Sequence, residues 1–176
     1  MSRRLVLDLR AQRPVWRVTP EVVAAVRGAV GDWDVVEIAA PINSDGDGGG
    51  GSPEAVAAAR GAEIYLGFGL PPGVIDAGRE SLRWAHTCTA GVGAILDRLR
   101  GTKITLTNSA GIHAEPIADW VLAAIAHFAR SFDVLVRAQA ERRWVQGMFG
   151  DRTVRVRELA RLRVGIFGLE IGRAHV

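Results

Sequence analysis

Short apolar runs alternate with amphipathic stretches along the first 108 residues. Leu5-Val6-Leu7 reads as a strand, and Thr19-Pro20-Glu21 follows as N-cap, proline at the first helical position and a first-turn acid. The helix so opened runs to about Val30, and Asp34 to Ala39 is a second strand. Asn43 to Gly51 is a surface loop, since nothing in NSDGDGGGG can pack, and Ser52-Pro53-Glu54 opens a helix through about Arg60. Glu63–Phe68, Leu82–His86 and Ile104–Thr107 are further strands, with helices over Pro71–Arg79 and Gly91–Leu99 between them. Strands separated by helical patterns argue for βαβ units and a parallel sheet. With right-handed crossovers, the expected fold of residues 1–108 is α/β, a flavodoxin-like doubly wound layer.

The pattern then changes. Glu115-Pro116 opens the longest helix, with Ile117, Trp120, Val121, Ala124, Ile125 and Phe128 at helical spacing. A second helix is expected from Val134 to about Gln146, with arginines on its wet face. After an arginine-rich connector, Arg163 to Leu169 (RVGIFGL) reads as a sixth strand running into a glycine turn. The pattern thus divides the chain into an α/β layer over 1–108, helices over 109–150 and a further segment over 151–176.

Composition narrows the function classes. The chain has 176 residues, about half of them hydrophobic and a quarter charged, as in a globular domain. No apolar run approaches a membrane span and the first ten residues hold no signal-peptide core, so the expectation is a cytoplasmic protein without membrane contact. The lone Cys88 excludes an internal disulfide, and no cysteine cluster for a metal exists. The formal net charge is +3, and residues 137–176 carry nine basic against four acidic side chains. All but one of the chain's cations are arginine, the exception being Lys103. No aromatic platform or docking motif accompanies the C-terminal arginines. They read as a solvated helix face, and no nucleic-acid partner is expected.

Three stretches together resemble the D-isomer-specific 2-hydroxyacid dehydrogenase family: Leu82–Val92 (LRWAHTCTAGV), Thr105–Leu122 (TLTNSAGIHAEPIADWVL) and Arg157–Leu169 (RELARLRVGIFGL). The middle stretch is the most specific. The resemblance implies a flavodoxin-like substrate domain over 1–108, interdomain helices over 109–150 and, over 151–176, the incomplete start of an inserted NAD-binding Rossmann domain, with the active site in the cleft between the two domains. It implies reduction of a 2-oxo acid, or oxidation of a D-2-hydroxy acid, with NAD or NADP, in a parent protein that is a homodimer. By resemblance, the backbone N–H groups of Ala90, Gly91 and Val92 hold the substrate carboxylate and Phe68 lines the substrate pocket. An ordinary glycine turn and a core phenylalanine account for the same residues. Gly93 stands where the family usually has an acid. His113 reads as a capping or solvated loop residue, His86 and His127 as packing positions, and Cys88 as a small buried hydrophobe.

The resemblance assigns the cofactor turn to Gly168, Leu169, Ile171 and Gly172. A dinucleotide fingerprint needs G-x-G-x-x-G, whereas GLEIG is one residue short and places Glu170 where the second glycine belongs, repelling phosphate. EIGRAHV can be encoded by GAG ATC GGA AGA GCA CAC GTC, which with a following TGA reproduces a common short-read library adapter. Residues 170–176 are therefore expected to be adapter-derived, the alternative being a genuinely truncated gene. The family's catalytic arginine, glutamate and histidine all follow the fingerprint, so no catalytic residue is assigned. The polypeptide as written is expected to be an inactive fragment, or an association-prone remnant whose apolar helix stripe lacks its cover.

Overall fold

A computed structural model describes residues 3–41 and 51–167. The strands are β1 (Arg4–Asp8), β2 (Asp34–Glu37), β3 (Ile64–Gly67), β4 (Trp84–Thr87) and β5 (Thr105–Asn108). All pair in parallel, in the order β2-β1-β3-β4-β5. This is the flavodoxin-like order, and the flavodoxin-like layer expected from the alternation is what forms. The chain divides into two compact units, Met1–Ala110 and Gly111–Val176.

The winding follows from strand order. Helix α1 (Pro20–Val30) carries the chain one way from β1 to β2; α2 (Pro53–Ala59), α3 (Pro72–Gly78) and α4 (Gly93–Leu99) carry it the other way. Right-handed crossovers then put α1 on one face and the other three on the opposite face. Side chains alternate accordingly. Val6, Tyr65 and Ala85 enter one buried cluster with Ala55, Ala59, Val74, Ile75, Leu82 and Leu99, while Leu5 and Leu7 are buried on the α1 side. Ser52 caps α2 as its sequence implies, accepting the Ala55 N–H at 3.1 Å.

Two boundaries shift for identifiable reasons. β4 starts at Trp84 and not at Leu82, because the Leu82 N–H is still tied back to the Gly78 carbonyl at 2.7 Å. α4 starts at Gly93 and not at Gly91, which leaves Gly91 and Val92 in the preceding loop.

The second unit contains α5 (Ala114–Ala129), α6 (Phe132–Ala140) and α7 (Gln146–Gly150). The helix expected over 134–146 is corrected to two pieces. α6 ends in a Schellman arrangement: Arg142 adopts φ 53°, its N–H reaches the Gln139 carbonyl at 3.0 Å, and the Arg143 N–H reaches Ala138 at 2.8 Å. The sixth strand expected over 163–169 is not formed by residues 163–167, and 168–169 lie outside the described residues. A strand exists only by pairing, and among the described residues of this unit no second strand offers an edge. No helix among the described residues is long and apolar enough to cross a membrane.

Candidate functional site

In an open parallel sheet, ligands bind beyond the carboxyl ends of the strands. Two polar assemblies occupy that edge. The first stands where β4 and β5 end. Thr87 is fully buried, and its hydroxyl lies 2.8 Å from that of Thr89. Thr89 spends its own hydroxyl hydrogen on the Gly91 carbonyl at 3.2 Å, so the hydrogen between the two threonines is donated by Thr87. Asn108, the last residue of β5, donates its Nδ2 to the Ala90 carbonyl at 2.6 Å. The Ser109 N–H donates to the carbonyls of Thr87 and Thr89 at 3.1 and 3.3 Å.

The result is a loop with its carbonyls turned toward the protein. The backbone N–H groups of Ala90, Gly91 and Val92 have no acceptor among the described residues. Unclaimed N–H groups carry a partial positive charge that attracts anions. Gly91 is exposed, and a Cβ built on it meets nothing within 4 Å. Its φ is not positive, so the backbone does not require glycine there. What the missing side chain leaves is open space above the N–H groups.

Phe68 follows β3 directly and is buried, at 8% exposure. The Cys88 N–H donates to the Gly67 carbonyl at 2.8 Å. The Phe68 turn and the 88–92 loop therefore leave the sheet side by side from neighbouring strands. Cys88 is half-buried, and burial pushes its thiol above the ordinary range, away from thiolate chemistry.

The second assembly joins β1, β3 and the segment that follows β2, and sequence reasoning missed it. Asp8 ends β1 at 6% exposure and is gripped by Arg10, with Nε to Oδ1 at 2.5 Å and Nη2 to Oδ2 at 2.8 Å. The buried Tyr65 hydroxyl donates to Asp8 Oδ2 at 2.8 Å, and Arg10 Nη1 donates to the Ala40 carbonyl at 2.9 Å. Asp8 raises the Arg10 guanidinium above its usual value by hydrogen bonding. Burial, then the Asp8 charge, raises the Tyr65 phenol. A Cβ on Gly67 would lie 3.0 Å from the Tyr65 ring and 3.1 Å from the Asp8 carbonyl, which is why glycine ends β3. The available signal was a carboxylate set within an apolar run, LVLDL, and its partners lie 2 and 57 residues away.

His86 is not a packing residue. It lies half-buried on the opposite face of β4 from Ala85, with Nδ1 2.8 Å from the Thr107 hydroxyl and Nε2 3.2 Å from that of Ser109. Burial holds its imidazole below the usual histidine value. Gly168, Leu169, Ile171 and Gly172 lie outside the described residues. Among the described residues, no three His, Cys, Asp or Glu side chains converge to hold a metal ion.

Fold and site together define a flavodoxin-like α/β protein with a turn of unclaimed backbone N–H groups at the carboxyl edge of its sheet. No protein-family model matches the chain, and no curated protein matches it. Among solved structures, the chain is similar to a phosphoglycerate oxidoreductase from Rhizobium etli, with a TM-score of 0.52 and 17% identity. The similarity covers 90% of this chain and 45% of that one, so the chain spans less than half the length of that structure. At this identity the likeness is one of fold.

Proposed function

We propose that the chain is the substrate-binding part of a D-isomer-specific 2-hydroxyacid dehydrogenase that works with NAD or NADP. The observation that carries this reading is the row of unclaimed N–H groups at Ala90, Gly91 and Val92, on the strand edge where such sheets take ligands. A 2-oxo or 2-hydroxy acid presents a carboxylate to that row, and bonds from N–H to a charged acceptor are about twice as strong as neutral ones. The open space at Gly91 admits the carboxylate, and the Phe68 turn borders it from the neighbouring strand. Asn108, Thr87 and Thr89 are positioning residues, since they hold the loop's carbonyls away from the anion. The oxidoreductase of similar fold is named for phosphoglycerate, and glycerate is itself a 2-hydroxy acid.

A nicotinamide, when bound, would supply the hydride chemistry. The residues that resemblance assigns to it lie outside the described residues, and Glu170 does not fit a pyrophosphate, so no step is derived through it. The role of this chain's own residues is to bind and orient the acid. The 176-residue polypeptide by itself binds 2-oxo acids without reducing them.

Amide NMR with glyoxylate or pyruvate tests the reading. The resonances of residues 90–92 are expected to shift saturably. Gly91→Ala should abolish the shifts while leaving the melting temperature unchanged, because its Cβ enters open space in the free protein. Absence of shifts, or equal shifts in Gly91→Ala, overturns the assignment. NADH-dependent turnover by the 176-residue chain would overturn its inactivity.

A second reading rests on the second unit. Trp120 is 72% exposed, Phe128 66% and Trp144 87%, an amount of bare aromatic surface that drives association. We infer that this surface is covered in the working protein, by a second copy in a homodimer. Light scattering that finds a monomer at high protein concentration would sink this reading.

A further inference from the structure

The carboxyl edge of the sheet does not hold all of the recognition chemistry. Where β4 and β5 begin, a cavity of about 150 Å³ is lined by Arg79, Glu80, Arg83, Gly101, Thr102 and Lys103. It is roughly the liquid volume of five waters. The parallel fold makes this meeting unavoidable. Trp84 pairs with Thr105, so the connections from α3 into β4 and from α4 into β5 return to the same edge side by side. The first brings Arg79 and Arg83, the second Lys103.

Lys103 rides on a fixed turn. Gly101 takes φ +73°, a conformation that L side chains rarely adopt. Thr102 closes the turn onto the Leu99 carbonyl through both its N–H, at 3.0 Å, and its hydroxyl, at 2.8 Å. Arg83 is anchored between strands, its N–H on the Glu63 carbonyl and its own carbonyl accepting the Thr105 N–H, both at 2.9 Å.

Three cations and one carboxylate thus line one cavity, and among the described residues none of the three cations makes an ion pair or a side-chain hydrogen bond. Arg83 does feel the charge of Glu63. Capping of helix ends does not account for the cluster. The Gly78 carbonyl already accepts from Ser81 and Leu82, and Leu99 from Thr102. Like charges gathered at one cavity repel, and a multivalent anion relieves that repulsion. Arginine guanidinium groups match the geometry of oxyanions bidentately, and lysine adds a point charge.

We propose that this cavity is a binding site for a phosphate group, either inorganic phosphate or the phosphomonoester of a small molecule. It lies at the opposite end of the strands from the Ala90–Val92 turn, so its occupant is a second ligand and not the acid bound there.

Lys103 is the chain's only lysine, so an amine-acylating reagent followed by peptide mass spectrometry reads that side chain without interference. The rate of Lys103 acylation is measured on the full chain in inorganic phosphate, in glycerol phosphate, and in chloride of equal ionic strength. Phosphate at about twice its dissociation constant should slow the reaction about threefold relative to chloride. Protection by both compounds assigns the site to the oxyanion itself; protection by glycerol phosphate alone assigns it to a phosphomonoester. Equal rates in all three salts overturn the proposal. Arg79→Gln with Arg83→Gln should remove the protection at unchanged melting temperature, and protection that survives also overturns it. Should the double variant fail to fold, Arg79→Gln alone, at an exposed position, is required to weaken it.

Discussion

Tyr65 is the only tyrosine in the chain, and its hydroxyl is committed to Asp8 inside the core. Burial raises its phenol, and the neighbouring Asp8 charge adds to the effect. The sign of the pH dependence follows. In the unfolded chain a tyrosine ionises near pH 10, while the folded protein keeps Tyr65 protonated above that. The stabilisation is fully present below about pH 10 and is lost above it, at about 1.4 kcal/mol per pH unit. Urea unfolding at successive alkaline pH values should show this fall, and Tyr65→Phe should flatten it. Tyrosinate absorbance should appear only with unfolding; early appearance in the native protein would contradict the buried hydrogen bond. At neutral pH the same substitution removes a bond to a charged group, at a cost of about 1.5–3 kcal/mol.

Elements were legible in the sequence where one local signal decided them. Thr19-Pro20 and Ser52-Pro53 announce α1 and α2, and the apolar runs around Val6, Tyr65 and Ala85 mark strands that bring these residues into the core. Legibility failed where a distant partner decided. RVGIFGL has the composition of a strand, but a strand needs a neighbour, and residues 163–167 have none among the described residues. The Ala90–Val92 turn was visible through its glycine, whereas the Asn108 and Thr87 contacts that orient its carbonyls cross between strands. The Asp8–Arg10–Tyr65 assembly was invisible for the same reason. The end of α6 failed differently, because an arginine occupies the left-handed position that glycine usually marks. A left-handed residue with a Cβ costs about 1–2 kcal/mol. Arg142→Gly should therefore stabilise the second unit, by roughly 1 kcal/mol after glycine's larger loss of chain entropy. A fall in the melting temperature of that variant would mean that the Arg142 side chain contributes more than its backbone costs.

At the scale of the whole molecule, the two units differ in how they meet water. Every member of the main buried cluster, from Val6 to Ile104, belongs to the first unit. Among its described residues the second buries little besides Ala129, Ser131, Ala138 and Val145, and leaves Trp120, Phe128 and Trp144 exposed. An open parallel sheet with its own core, about 110 residues long, lies within the usual size of an autonomous domain. Residues 1–110 alone should therefore fold cooperatively, with the amide pattern of the five-stranded sheet intact and a melting temperature close to that of the same unit in the full chain. They should also keep both candidate ligand sites, since the Ala90–Val92 turn and the Arg79–Arg83–Lys103 cavity are built entirely from these residues. Association, in contrast, should disappear with residues 111–176, because the bare aromatic side chains leave with them. Heteronuclear NMR and light scattering on the 1–110 fragment separate these outcomes. A fragment that folds, binds 2-oxo acids and stays monomeric would place recognition in the first unit and assembly in the second. A fragment that unfolds would mean that the sheet draws its stability from residues beyond its own core.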